Sequence, residues 1–368
     1  TVVPIYETLG PDTAQYIINH TNLSTLAVVS DHVGKLIKLK RDGKVPSLST
    51  LILMDDGALS DEIGQDLQAL NESLKVLPYA SLISIGEQNL IKNQPPKSSD
   101  IFYISYTSGT TGDPKAAMIS HSNMVSQVRC VKGLDMVFAH DVFLSYLPLA
   151  HIVECVIFQA GLAIGGSAGF YQGDVLKLKD DLACLKPTVF MGVPRVYNKF
   201  YDEIQKKLRD LTGVKKSLVD QAISTKMEAL NSSNSYQHQL WDRVVFKKMR
   251  IVLGGNVRLM MTGAAPLESS VLDFLKVCFA AGFFEAYGAT ETTGPATMTF
   301  DLRSGGVGYP LAGMELKLVD VPEMNYVSDG KDSEGKRQIR GEICFRGPAV
   351  FSGYYRDPQK TREAIDDE

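Results

Sequence analysis

Residues 105–118 read SYTSGTTGDPKAAM, with six consecutive Ser, Thr or Gly residues from Thr107 to Gly112 and a lysine three positions later. The apolar run FYISYTS (102–108) enters the loop as a strand, and ISHSN follows it before a helical pattern. Glycines in such a turn let successive backbone N–H groups face one point, and concavities of that kind bind anions. Thr107, Ser108, Thr110 and Thr111 add hydroxyl donors, and Lys115 adds charge. A flexible Gly/Ser linker fits poorly, because the run is short and flanked by structured apolar sequence. The loop is not a Walker A motif: the spacing of Gly109 and Gly112 is wrong, and no Ser or Thr directly follows Lys115.

Away from the loop, short apolar runs alternate with amphipathic segments. LAVVS (26–30) and TLILMDD (50–56) read as buried strands, and PTVFMGVP (187–194) and VRLMMTGAAP (257–266) as strands ending at Gly/Pro turns. Alternation of this kind predicts an α/β fold, doubly wound, with mostly parallel sheets and flanking helices. Residues 198–250 are charged and helical in pattern, broken at SSNSYQHQ, and their lysine pairs read as a solvated face. After residue 303 the texture changes to alternating apolar and polar residues with frequent Gly and Pro, the pattern of antiparallel hairpins. The expected organisation is an α/β core over 1–302 with a helical insertion at about 198–250, then an incomplete β-rich, distorted-barrel subdomain over 303–368. KNQPPKSSD (92–100) is the nearest thing to a linker.

Charge and cysteines narrow the functional classes. A formal net charge of -4 gives no bulk attraction to nucleic acid, so none is expected as a partner. The five cysteines are scattered and form no CxxC pair, which argues against zinc or a disulfide framework and for a reducing compartment. The apolar stretch 152–171 is interrupted by Glu154, Gln159 and small residues, and reads as core rather than a membrane span. The opening TVVPIY lacks an initiator Met and the chain closes on AIDDE, so a piece of a longer protein is expected.

The stretch YTSGTTGDPK resembles the signature loop of the adenylate-forming, or AMP-binding, superfamily. A second stretch, FFEAYGATETTG (283–294), resembles that superfamily's Tyr-Gly-x-Thr-Glu motif in the expected order. The resemblance implies that Tyr287 and Gly288 border the adenine, Thr290 bonds the α-phosphate, and Glu291 holds Mg²⁺. A carboxylate suits a hard cation that bridges phosphates. MTGAAPL (261–267) is similar to the segment whose backbone lines the nucleotide, which assigns Gly263, Ala264 and Ala265. LPLAHIVE (147–154) is similar to the segment that places a His or aromatic beside the acyl site, which makes His151 a candidate. The other histidines read as structural.

Longer blocks, among them VGYPLAGMELKLVDVPEMNY and GEICFRGPAVFSGYYRDPQKTREAI, resemble the eukaryotic long-chain fatty acid–CoA ligases, and the likeness covers nearly the whole chain. It implies ATP-dependent activation of a fatty acid to acyl-adenylate and then acyl-CoA, with ATP, Mg²⁺ and coenzyme A. It also implies an intracellular enzyme at the cytosolic face of the endoplasmic reticulum, peroxisome or lipid droplet, with peripheral membrane association through segments outside this chain. There are departures. Ala286 stands where the family usually has Gly, and Ala289 where it has Gln. The family's ribose-gripping Asp, its hinge and its C-terminal catalytic Lys are not in these residues, so weak activity of the piece alone is expected. Two alternatives stay open: adenylation of another carboxylic acid, aromatic or medium-chain, and a non-catalytic nucleotide- or acyl-binding fragment.

Overall fold

The computed structural model describes residues 1–6, 12–57, 60–70, 73–107, 114–300, 305–327, 330–331, 335 and 338–366. Ser108–Gly112 of the glycine loop therefore lie outside the described residues. The chain divides into two compact units, one of Thr1–Val2, Ser98–Ser105 and Ala116–Glu368, the other of Val3–Lys97 and Tyr106–Lys115. The stretch read as a linker contains one of the crossings, at Lys97–Ser98, and it is exposed throughout.

The smaller unit is a three-stranded parallel sheet in the order β1 (Thr25–Val28), β2 (Thr50–Leu53), β3 (Lys75–Pro78). Helices α1 (Thr13–Thr21), α2 (Ser30–Arg41), α3 (Asp61–Ala69) and α4 (Tyr79–Gln88) alternate with the strands. Val33, Leu36 and Ile37 recur at the helical spacing and form the buried stripe of α2. The two strands read as buried are so only in part. In β1 only Val28 is buried, and in β2 burial alternates, with Leu51 and Leu53 inside. Alternation is what a sheet with one covered face produces. Of the polar tail of TLILMDD, Asp55 accepts from the Ser30 backbone N–H at 3.0 Å and from its hydroxyl at 2.8 Å, which satisfies the start of α2.

In the larger unit, most of β4 (Ile101–Thr107) and β5 (Lys115–Ser120) form a two-stranded sheet, and α5 (His121–Gly133) follows. Ser120 and Asn123 cap α5 reciprocally, each side chain accepting from the other's backbone N–H at 3.1 and 2.9 Å. A seven-stranded sheet is built next, from β6 (Val142–Ser145), α6 (Ile152–Ile164), β7 (Ser167–Phe170), α7 (Leu178–Leu185), β8 (Val189–Met191), a helical excursion, β9 (Leu259–Thr262), α12 (Ser269–Phe279) and β10 (Gly282–Ala289). β11 (Gly294–Met298) and β12 (Tyr309–Pro310) complete it, and the order is β12-β11-β10-β9-β8-β6-β7. Strands β6 to β10 run parallel through crossovers, whereas β10, β11 and β12 pair antiparallel.

Adjacent residues of the central strands feed two separate cores, because side chains alternate across a sheet. Met260 and Phe283 join the cluster that contains Phe190, Tyr197, Phe200 and Leu275. Leu259 and Phe284 join the opposite one, with Phe143, Met298 and Leu311. The helix Pro194–Arg209 and α12 pack into the first cluster; Ile157 and Ile164 of α6 pack against the second. Both faces are thus covered, as the near-continuous apolar strands required.

The excursion comprises α8 (Pro194–Arg209), α9 (Gly213–Ser233), the short α10 (Gln239–Trp241), a π-helical turn over Asp242–Phe246, and α11 (Lys247–Arg250). Its lysine pairs at 206–207, 215–216 and 247–248 are exposed. Lys226 is the exception to the solvated face expected there. Its side chain is fully buried, its ammonium donates to Asp242 Oδ1 at 2.5 Å and to the Val277 carbonyl at 2.6 Å, and it lies 4.2 Å from the Phe246 ring centroid. Beyond β12, β13 (Glu315–Val319) and β14 (Glu342–Arg346) pair antiparallel, and α13 (Pro358–Ala364) follows. Among the described residues, no helix is long and apolar enough to cross a membrane.

Candidate active site

Three parallel strands, β8, β9 and β10, finish side by side, and the chain segments leaving them line one cavity. Open α/β sheets place ligands at the carboxyl ends of their strands, where successive loops diverge. Met191 ends β8, Gly263 and Ala264 follow β9, and Tyr287, Gly288 and Ala289 end β10 ahead of Thr290. The opposite wall is apolar: Val131 of α5, Leu134 just past its end, and Val156 and Ile157 of α6, with Met298 and Leu311 behind. The cavity holds about 970 Å³ of empty space, part of it open to solvent. The site thus has a small-residue, hydroxyl-bearing side and a long apolar side.

Backbone crowding explains the small residues. A Cβ added to Gly288 would lie 2.0 Å from the Gly294 carbonyl oxygen, and one at Gly263 would lie 2.9 Å from that of Ala286. Ala264 is held at φ +69°, a left-handed conformation unusual outside glycine. Gly288→Ala should therefore push β10 and β11 apart at the cavity mouth. The expected result is a roughly tenfold or greater loss of nucleotide affinity, on the scale of overpacking penalties, read by calorimetric titration; affinity equal to the parent would show that the strands yield without consequence.

A short 3-10 turn over Thr290–Thr292 closes this end of the site. Thr292 Oγ1 accepts from the Ala289 N–H at 2.9 Å and donates to the Gly294 carbonyl at 2.7 Å, which locks the turn. Thr290 lines the cavity. Glu291, half-buried, directs its carboxylate to the Tyr354 hydroxyl, which donates to Oε1 at 2.6 Å. Burial and the Glu291 charge push the Tyr354 phenol well above its usual pKa, so it stays a donor.

His151 begins α6. Its Nδ1 accepts from the Val153 N–H at 3.4 Å, and its ring borders the cavity while keeping one side exposed. Partial burial lowers its pKa, so the neutral imidazole is favoured. With Nδ1 accepting, the ring proton of that neutral form sits on Nε2.

His151, Gly263, Ala264, Tyr287, Gly288 and Thr290, which lie far apart in sequence, thus come together. Ala265 is exposed and does not line the cavity. Thr107 ends β4 and Lys115 begins β5; both belong to the other unit, and the loop between them, Ser108 to Gly112, is outside the described residues. Sequence reasoning missed the apolar wall and Tyr354. Tyr354 sits in the quoted stretch FSGYY, but nothing local marks it as a partner of a residue 63 positions away.

Among the described residues, no three His, Cys, Asp or Glu side chains converge as a metal cage. A cation at Glu291 would therefore complete its shell with phosphate and water oxygens. One carboxylate plus nucleotide phosphates is the donor set that Mg²⁺ ordinarily takes, so the residues present fit that ion.

Comparison with known proteins decides the family. The model of the AMP-binding enzyme family matches residues 1–355. The chain belongs to the AMP-binding enzyme family. Within the family, it is 42% identical over 366 residues to long chain acyl-CoA synthetase 7, peroxisomal, of Arabidopsis thaliana, covering 99% of this chain and 51% of the relative. It is 40% identical over 372 residues to long-chain-fatty-acid–CoA ligase 1 of Homo sapiens, covering 99% and 51%. The chain spans about half the length of the curated relatives it matches. Among solved structures, the adenylation domain of a carboxylate reductase from Mycobacterium chelonae superposes with a TM-score of 0.75 at 24% identity, over 99% of this chain and 53% of that one. That likeness is one of fold, and it agrees with the mostly parallel, doubly covered sheet.

Proposed function

We propose that the protein carrying this chain activates a long-chain fatty acid with ATP and passes the acyl group to coenzyme A. The observation that carries the reading is the two-sided cavity, in which the Thr290 turn and the Gly263–Ala264 backbone face a wall of aliphatic side chains. Identity of about 40% to proteins named as long-chain acyl-CoA ligases supports the same substrates.

A carboxylate resists thiols because its leaving group would be oxide. In the first step a carboxylate oxygen attacks the α-phosphorus of ATP, the acyl–phosphate bond forms, and the bond to pyrophosphate breaks. The protein's part is positioning and charge stabilisation. The Tyr287 ring and the backbone of Gly263, Ala264 and Gly288 flank the adenine, and the Thr290 hydroxyl donates to the α-phosphate. Resemblance to the family's signature loop assigns Thr107–Gly112, with Lys115, to the phosphate tail. Glu291 would hold Mg²⁺, which supplies positive charge against the phosphoryl oxygens when bound with the nucleotide. In the second step the coenzyme A thiol attacks the acyl carbon and AMP departs with the electron pair of the broken C–O bond. Neutral His151 borders the carboxylate and donates from Nε2. The five free cysteines fit an intracellular setting.

An amino-acid substrate would need a standing negative charge for its ammonium group. Glu154 is the buried acid nearest in sequence to the site, yet burial pushes its pKa to about 7 and Ser145 already donates to it at 2.5 Å. It also lines a second, smaller cavity beside Phe143 and Gly161 rather than the main one.

Pyrophosphate release by the whole protein, measured over saturated acids of increasing length, tests the reading. Burial of each methylene is worth about 0.8 kcal/mol, or roughly fourfold in affinity. Apparent affinity should climb by up to that factor per carbon until the acyl pocket is filled. A flat series, or preference for an aromatic acid, would overturn the assignment.

A further inference from the structure

The segment Pro348–Tyr354 lies across the turn that carries Glu291, and it is tied down at several points. Asn123 Nδ2 donates to the carbonyls of Pro348 at 2.9 Å and Val350 at 2.8 Å. Thr293 Oγ1 donates to the Ala349 carbonyl at 2.6 Å, and the Phe351 N–H donates to the Glu291 carbonyl at 2.8 Å. The Tyr354 N–H donates to Thr361 Oγ1 at 2.9 Å, and the Tyr354 ring meets the Phe351 ring edge-on at 4.9 Å. None of these contacts uses the Tyr354 hydroxyl. The ring is buried and fixed without it, and the hydroxyl is then aimed at Glu291 Oε1.

We propose that Tyr354 is a positioning residue for the metal-binding carboxylate: its phenol pins one oxygen of Glu291 and leaves the other to the cation. The proposal rests on the reading of Glu291 as the Mg²⁺ ligand. Mg²⁺ requires near-octahedral geometry at short distances and tolerates misplacement badly. A glutamate has three side-chain torsions, so an unpinned carboxylate spreads over many positions and loses affinity through that freedom. A donor on one oxygen selects a single carboxylate plane. Outer partners of this kind commonly contribute roughly 10- to 100-fold to metal affinity or activity. A plain structural staple between the turn and the 348–354 segment would also place a phenol near a carboxylate. It would not change metal affinity, since the five other ties remain.

The experiment uses Mn²⁺ as an electron-paramagnetic probe, titrated into the whole protein holding α,β-methylene-ATP, so that no turnover is needed. Tyr354→Phe should weaken Mn²⁺ binding about tenfold, leave metal-free nucleotide affinity unchanged, and hold the melting temperature near that of the parent. Tyr354→Leu, which removes the ring as well, should lose no more metal affinity than Phe does. Glu291→Gln should lose more than either. If Glu291→Gln weakens Mn²⁺ binding and Tyr354→Phe does not, the tyrosine is a staple and this proposal fails alone. If Leu weakens it and Phe does not, ring packing is responsible and the proposal again fails. If Glu291→Gln itself changes nothing, the metal reading of Glu291 fails and takes the proposal with it.

Discussion

Glu291→Gln should cut the rate of adenylation by on the order of a hundredfold or more while leaving the fold intact. The amide keeps the shape of the side chain, and its Oε1 can still accept from the Tyr354 hydroxyl that now lies 2.6 Å from the carboxylate. The backbone tie from Phe351 to the Glu291 carbonyl, at 2.8 Å, is untouched. What is lost is the negative charge proposed to hold Mg²⁺ for the phosphates. Removal of a single preorganised electrostatic partner typically costs about 10²–10³ in rate. Single-turnover release of pyrophosphate at varied Mg²⁺ reads the effect, and a thermal melt confirms the fold. Unchanged turnover with an unchanged Mg²⁺ requirement would remove Glu291 from the reaction.

The largest stability effect is expected at Asp242. Its carboxylate receives the buried Lys226 ammonium at 2.5 Å and the His238 N–H at 2.8 Å. Asp242→Ala leaves the buried ammonium with the neutral Val277 carbonyl at 2.6 Å but without its carboxylate. Breaking a buried pair from one side commonly costs about 3–5 kcal/mol. Lys226→Met removes the charge together with its desolvation cost and should lose less, because Asp242 keeps the His238 N–H and some exposure to water. The pH dependence has a definite sign. Burial holds the folded-state pKa of Lys226 below its ordinary value, despite the opposing pull of Asp242. A protonated Lys226 therefore costs the folded state most at pH below that lowered pKa. Without Asp242 the pKa falls further, so the deficit of Asp242→Ala should be full near neutrality and shrink as pH rises through the lysine titration. Urea denaturation at pH 7 and pH 10 measures both. Equal losses for the two variants would show that the ion pair is not what holds α9 to this turn.

How far the sequence can be read depends on whether the causes are local. Each of the runs at 187–194 and 257–266 does contain a strand that stops at its Gly or Pro, because backbone geometry is set within a few residues. The order of the motifs likewise carries Tyr287, Thr290, Gly263 and His151 into one cavity, since parallel strands align their carboxyl ends. The apolar wall was not legible. Val131, Val156 and Leu311 are ordinary aliphatic residues whose role depends on which face of which element meets the cavity. Lys226 was hidden for the opposite reason. It is a single lysine in a charged helical stretch whose lysine pairs are solvated, and its burial is decided by Asp242 and the Val277 carbonyl, 16 and 51 positions away. LAVVS looks like a buried strand, but only one face of that small sheet is covered along β1, and helix α2 begins at Ser30.

The π-helical turn at Asp242–Phe246 makes the excursion unevenly tolerant of changes in length. A π turn accommodates one residue more than an α turn. Here the extra residue falls where Asp242 reaches Lys226 and where Val245 and Phe246 enter the core. Each residue of an α-helix advances by about 100°. Adding a further residue inside the turn, beyond the one it already accommodates, would therefore swing acid and core residues onto different sides of the helix axis. The irregular stretch just upstream, 235–237, has no such phase to keep. For gene diversification, a few neighbouring codons thus separate a site that can vary in length from one that cannot lengthen without giving up the pairing it serves.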